Sequence, residues 1–154
     1  MEIILIRHSI AEEKRVDLED VNRHLTEKGV KRFRGLMPVL QKKLEPLEER
    51  DILLWSSPAK RATETADIVR EELGFEINEI KDFIYYGDFE DLSEAVQDID
   101  DEVTLLIAGH QPLLGDWTLD MSDEDVRIKK GAMLNFKVIS KSPLKAELLW
   151  VISP

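Results

Sequence analysis

The 154-residue chain contains no cysteine. That excludes a disulfide scaffold, a thiolate metal site and a cysteine nucleophile. It is also short of positive charge: 21 Lys and Arg stand against 32 Asp and Glu, for a net charge of −11. A broad basic face for nucleic acid is therefore not expected, because bulk phosphate backbone would be repelled. A small basic pocket set in so acidic a surface would, by the same reasoning, be informative. Long apolar runs are missing as well, since nothing approaches the roughly 18 residues needed to span a membrane. The N-terminal apolar run stops at Arg7, too early for a secretory h-region, and no small-residue cleavage site follows. These absences lead us to expect a cytoplasmic protein with neither a membrane nor a nucleic-acid partner. There is no internal repeat, low-complexity tract or linker, so residues 1–154 read as one domain.

Short apolar runs alternate with longer amphipathic stretches. This pattern predicts an α/β fold with three layers, a mostly parallel sheet between helices and an antiparallel C-terminal edge. Ile3-Ile4-Leu5-Ile6 is apolar at every position, as a strand buried on both faces requires, and predicts a strand over 2–7. Thr26 is placed as an N-cap ahead of a long helix whose apolar stripe is Val30, Phe33, Met37, Leu40 and Leu44, kinked at Pro38. Ile52 to Trp55 predicts a second buried strand. Ser57-Pro58 then reads as an N-cap and first-turn proline for a helix that Gly74 ends. Phe75 to Ile80 has the alternation of an edge strand, and residues 103–108 form another buried run. Segments near 132–139 and 145–152, joined through Ser142-Pro143, predict a terminal hairpin.

Three cationic positions share one topological feature. Arg7-His8, Arg61 and His110 each lie just past a predicted buried strand or in the first turn of the helix after it. At that edge of an open α/β sheet, strand ends and helix N-termini converge on ligands. Arg61 is the most telling, because a cation beside the positive end of a helix dipole is unfavourable unless an anion answers it or Glu64, one turn on, pairs with it. Two imidazoles and two guanidiniums gathered at one edge would suit a tetrahedral dianion, with a neutral imidazole free to act as nucleophile.

Leu5-Ile6-Arg7-His8-Ser9, the run from Ser56 to Ala66 and Gly109-His110-Gln111-Pro112 resemble, in order and spacing, the three motifs of the histidine phosphatase (phosphoglycerate mutase-like) superfamily. Asn22-Arg23-His24-Leu25-Thr26 and the short length are most similar to its compact, SixA-type phosphohistidine phosphatase branch. The resemblance implies that His8 is the nucleophile, that Arg7 and Arg61 clamp the phosphoryl oxygens, and that His110 donates to them. It implies a substrate-binding place for Arg23 and for Ser9, which stands where Gly is commonest and whose backbone carbonyl would hold the His8 tautomer. No cofactor and no metal are implied, since fixed cations neutralise the phosphate.

The general acid is not marked. Asp88 and Glu90, after Tyr85-Tyr86-Gly87, are candidates, as are Glu12 and Glu13. A phosphoramidate would demand less of any acid, because imidazole leaves more readily than an alkoxide. The expected activity is thus a metal-independent phosphatase working through a phosphohistidine intermediate, with phosphohistidine on a protein favoured. A small phosphorylated substrate and a noncatalytic phosphate-binding module are the alternatives.

Overall fold

The computed structural model describes residues 1–47 and 50–154. Six strands form one sheet: β1 (Glu2–Arg7), β2 (Asp51–Ser56), β3 (Ile77–Ile80), β4 (Val103–Gly109), β5 (Met133–Lys141) and β6 (Leu144–Ile152), in the order β3-β2-β4-β1-β5-β6. The first four in that order run parallel, whereas β5 pairs antiparallel with β1 and β6 antiparallel with β5. The α/β class, the buried strand over 2–7, the edge position of the 77–80 strand and the terminal hairpin are as the sequence leads one to expect.

Alternation across the strands builds two cores. Ile3, Leu5, Leu105 and Ile107 face one way, against Ile84, Leu92 and Trp117. Those partners come from α4 (Phe83–Tyr86), α5 (Phe89–Val96) and α6 (Leu113–Ser122). Ile4, Ile6, Leu106 and Ala108 face the other way, against Phe33, Leu40 and Val69, from α1 (Glu27–Arg34), α2 (Met37–Leu44) and α3 (Lys60–Leu73). A strand covered on both sides has no use for polar alternation, which is why β1 and β4 are almost continuously apolar. Among the described residues, no helix is long and apolar enough to cross a membrane.

Local signals hold at some helix ends and move at others. Thr26 caps α1, its hydroxyl accepting from Gly29 N at 3.0 Å. Gly74 ends α3 in the left-handed region at φ 81°, where a side chain would be strained. The expected kink at Pro38 is instead a break at Gly35-Leu36. Pro38 lies in the first turn of α2, where its missing N–H removes no helical bond. Ser57-Pro58 likewise does not start α3: Ala59 is the N-cap, and the Ser57 hydroxyl accepts from Ala59 N at 3.2 Å. Ser57 N is still bonded to Ala108 O at 3.0 Å, so the chain keeps the strand direction two residues longer.

Register sets the height at which the strands end. Arg7 is paired with Gly109 across β1 and β4, and Ser56 with Ala108 across β2 and β4. Three adjacent strands therefore finish at one level, and the residues that follow them meet.

Candidate active site

His8, Arg7, Arg61 and His110 line one pocket of about 520 Å³ at that edge, with Lys14, Asp20, Arg23, Tyr85, Gln111 and Lys130. Arg61 remains in the first turn of α3 despite the shifted cap. A cleft of similar size, about 550 Å³, lies at the opposite ends of the strands beside Asp51, Gly74 and Phe75, and holds no comparable group of side chains.

His8 is held in one tautomer. Its Nδ1 lies 2.7 Å from Ser9 O, and a carbonyl only accepts, so Nδ1 carries the hydrogen. Nε2 is left with its lone pair and no hydrogen-bond partner among the described residues. Burial, assisted by the charges of Arg61, Arg7 and Arg23 and opposed by the bond to Ser9, lowers the His8 pKa to about 4. Burial and Arg61 lower that of His110 to about 3. Both rings are neutral at pH 7. His110 Nε2 meets the Ser57 hydroxyl at 2.7 Å, while its Nδ1 is buried without a protein partner.

Arg7 and Arg61 are each tied back by one end only. Arg7 Nη1 donates to Ile128 O at 2.6 Å, and Arg61 Nη1 donates to Asp20 O at 2.8 Å. The Nε–H of each is buried and unpartnered. A buried donor left open costs stability unless something arrives to accept it. Two such orphans, Arg7 Nε and Arg61 Nε, belong to one pocket, together with the unpartnered His110 Nδ1, which is a third donor when the Ser57 hydroxyl gives its hydrogen to His110 Nε2. That is the donor set of a site for a multi-oxygen anion.

Ser9 does not touch this pocket with its side chain. Its hydroxyl is buried and donates to Gly29 O at 2.8 Å, so its part in the site is played by its carbonyl. Arg23 does line the pocket, held by Asp20 Oδ1 and by Glu12 O at 2.7 Å. The acid candidates fall elsewhere. Asp88 caps α5 in a reciprocal capping box with Asp91, Glu90 is exposed in the first turn of that helix, and neither lines the pocket. Glu12 accepts from His24 N at 2.8 Å, and Glu13 is exposed. Glu64 does not pair with Arg61 but reaches His24 Nδ1 and Leu25 N, at 2.7 and 2.8 Å.

The carboxylate that does line the pocket is Asp20, which the sequence reading passes over. Its oxygens accept from Arg61, Arg23 and the Tyr85 hydroxyl. Desolvation works to raise its pKa, yet these bonds hold it well below the usual carboxylate range. The Tyr85 hydroxyl, donating to Asp20, has its pKa raised. Asp20 precedes Arg23 by three residues, a spacing that suggests a pair, but it sits in an acid-rich stretch where any Asp looks solvated. Among the described residues, no group of three His, Cys, Asp or Glu side chains could hold a metal ion.

The family model of the histidine phosphatase superfamily (branch 1) matches residues 3–115. A search of curated proteins finds no significant match in sequence. In structure, the chain is similar to a protein histidine phosphatase SixA complexed with tungstate, with a TM-score of 0.83 and 22% identity over 100% of this chain and 97% of that one. A candidate phosphohistidine phosphatase SixA from Agrobacterium tumefaciens superposes with a TM-score of 0.81 at 19% identity, covering 99% and 97% of the two chains. A mycobacterial glucosyl-3-phosphoglycerate phosphatase reaches 0.74 at 12% identity, with 99% of each chain covered. At such identities the superpositions establish the shared fold.

Proposed function

The chain belongs to the histidine phosphatase superfamily, and on that premise we propose that this phosphatase works through a phosphoryl group carried transiently on His8, its favoured substrate being phosphohistidine on a protein. The carrying observation is the His8 Nδ1 to Ser9 O bond. It points the reactive lone pair to Nε2, among donors that lack acceptors.

In the first step His8 Nε2 attacks phosphorus in line. The new N–P bond forms as the bond to the leaving group breaks, and the leaving atom takes the electron pair. Arg7 and Arg61 each offer an Nε–H and an Nη2–H to the nonbridging oxygens. His110 donates from Nδ1 when Ser57 supplies the hydrogen to Nε2. Donors that are already oriented need no reorganisation as charge moves onto these oxygens, and this is the main help a protein gives phosphoryl transfer. In the second step water attacks the phosphoryl group, a water proton is released, and inorganic phosphate leaves with His8 restored.

The leaving group is where substrate class enters. Among the described residues, Asp20 is the one carboxylate lining the pocket, and it is ionised by its three donors. It has no proton to give an alkoxide. A phosphoramidate, whose imidazole departs protonated or nearly so, needs little from an acid, and this supports phosphohistidine over an alkyl phosphate. Residues 1–154 would act as one catalytic unit, with fixed cations doing the charge neutralisation that a metal does elsewhere.

The test uses purified wild type and His8→Ala in chelator, offered a labelled phosphohistidine protein and a generic aryl phosphate. Release by wild type alone, with acid-labile label trapped on it, is expected, and faster on the phosphoprotein. The reverse rate order would shift the reading to a small phosphomonoester. A requirement for added divalent metal, or tungstate binding without any turnover, would overturn the proposed reaction.

A further inference from the structure

The clamp role given to Arg61 leaves open what aims its guanidinium. A guanidinium has two edges that serve a bidentate acceptor, the Nη1/Nη2 end and the Nε/Nη2 side. The end of Arg61 is fully taken by one residue: Nη1 donates to the Asp20 main-chain oxygen and Nη2 to Asp20 Oδ2, both at 2.8 Å. The side edge, with its buried and unpartnered Nε–H, is the one that remains for an incoming anion.

Asp20 is itself held from several directions. It sits in a 3-10 turn over Asp20–Asn22, where its carbonyl also accepts from Arg23 N. Tyr85 donates its hydroxyl to Oδ2 at 2.6 Å. Arg23 gives Nε and Nη2 to Oδ1 at 3.0 and 2.9 Å, and is anchored in turn by Glu12 O. Tyr85 stands edge-on to His110 with ring centroids 5.6 Å apart, so the same side chain borders both Asp20 and the second imidazole.

We propose that Asp20 is a positioning residue: it occupies the end of the Arg61 guanidinium and so turns the Nε/Nη2 side toward the phosphoryl group, with Tyr85 and Arg23 fixing its carboxylate. The inference rests on the anion-site reading above. It runs against simple electrostatics, because a carboxylate beside an anionic ligand repels it. A residue that merely competed for the arginines would therefore weaken anion binding, and its removal would tighten it. The two roles predict opposite signs.

The experiment measures inorganic tungstate affinity by calorimetry and aryl phosphate hydrolysis for wild type, Asp20→Asn, Asp20→Ala, Tyr85→Phe and the double variant of the last two, each checked for cooperative unfolding. Positioning predicts tungstate binding about tenfold weaker in both Asp20 variants and kcat/KM lower by about a hundredfold, with most of the loss in kcat. Tyr85→Phe should lose about threefold and add nothing to Asp20→Ala, because it acts through the same carboxylate. Formate should partly restore Asp20→Ala without activating wild type. Unchanged or tighter tungstate binding by a folded Asp20 variant overturns the proposal. Wild type that binds tungstate but hydrolyses nothing would overturn the functional reading alone, and the tungstate comparison would still decide Asp20. If Asp20→Ala does not fold, Asp20→Asn and Tyr85→Phe decide it. Wild type that does not bind tungstate overturns both.

Discussion

The imidazoles of His8 and His110 face each other with ring centroids 5.3 Å apart and planes inclined by 52°. Each is buried beside Arg61, and each is kept neutral for that reason.

This pair makes folding stability acid-sensitive in a defined window. Both folded-state pKa values, about 4 and about 3, lie below the ordinary 6.5. As pH falls from 6.5 toward 4, the unfolded chain takes up protons that the folded one excludes, so stability drops. The slope approaches two protons, each worth about 1.4 kcal/mol per pH unit. Urea unfolding at pH 7, 5.5 and 4.5 should show the decline, and His8→Asn should remove about half of the slope attributed to the pair. An unchanged slope in His8→Asn would contradict the burial argument.

Replacing Arg61 by Lys retains the charge and loses the fork. Lys has one compact ammonium, unable to serve two phosphoryl oxygens and Asp20 together. Turnover should fall by about a hundredfold or more, while thermal unfolding of the folded variant remains cooperative. Steady-state rates on an aryl phosphate check this.

Ser9→Ala separates the carbonyl of residue 9 from its hydroxyl. The carbonyl that orients His8 stays, so hydrolysis should stay within about threefold of wild type, whereas the lost Ser9 to Gly29 bond costs about 1 kcal/mol in denaturant unfolding. A large kinetic defect with intact stability would place the hydroxyl in the chemistry after all.

Gly29 lies where α1 passes the active-site loop, and a Cβ there would stand 2.2 Å from Ile10 O. Backbone must move to admit it. Gly29→Ala should cost about 2 kcal/mol or more and also slow turnover, because the Ile10 backbone it displaces adjoins Ser9, whose carbonyl orients His8. Denaturant unfolding and kinetics on the same preparation read both effects.

Asp88→Asn and Glu90→Gln should leave hydrolysis near wild type, since neither side chain lines the pocket. Asp88→Ala should cost about 1 kcal/mol of stability through the lost cap on α5. A strong rate loss in Asp88→Asn would restore it as an acid candidate.

How much of this was legible in the chain follows from the range of the forces involved. Strand β1 could be read because burial on both faces leaves no room for polar residues over Ile3 to Ile6. The Thr26 cap and the Gly74 stop could be read because each depends on its immediate neighbours. His8, Arg7, Arg61 and His110 could be read because each lies at the end of a strand or in the turn or first helical turn after it, and strand ends in a parallel sheet meet. Other features depended on distant partners. Ser57 looked like a helix cap until its backbone was seen following β4, and its hydroxyl meeting a histidine 53 residues away. Asp20 is the clearest case, with Arg61 41 residues along the chain and Tyr85 65 residues along it. By itself the sequence determined the layers, the strand ends and the four groups that gather there, since these follow from burial and local backbone preference. Only the tertiary structure decided which edge of Arg61 is left without a partner and which acid stands in the pocket, because hydrogen-bond direction between remote side chains leaves no pattern in neighbouring residues.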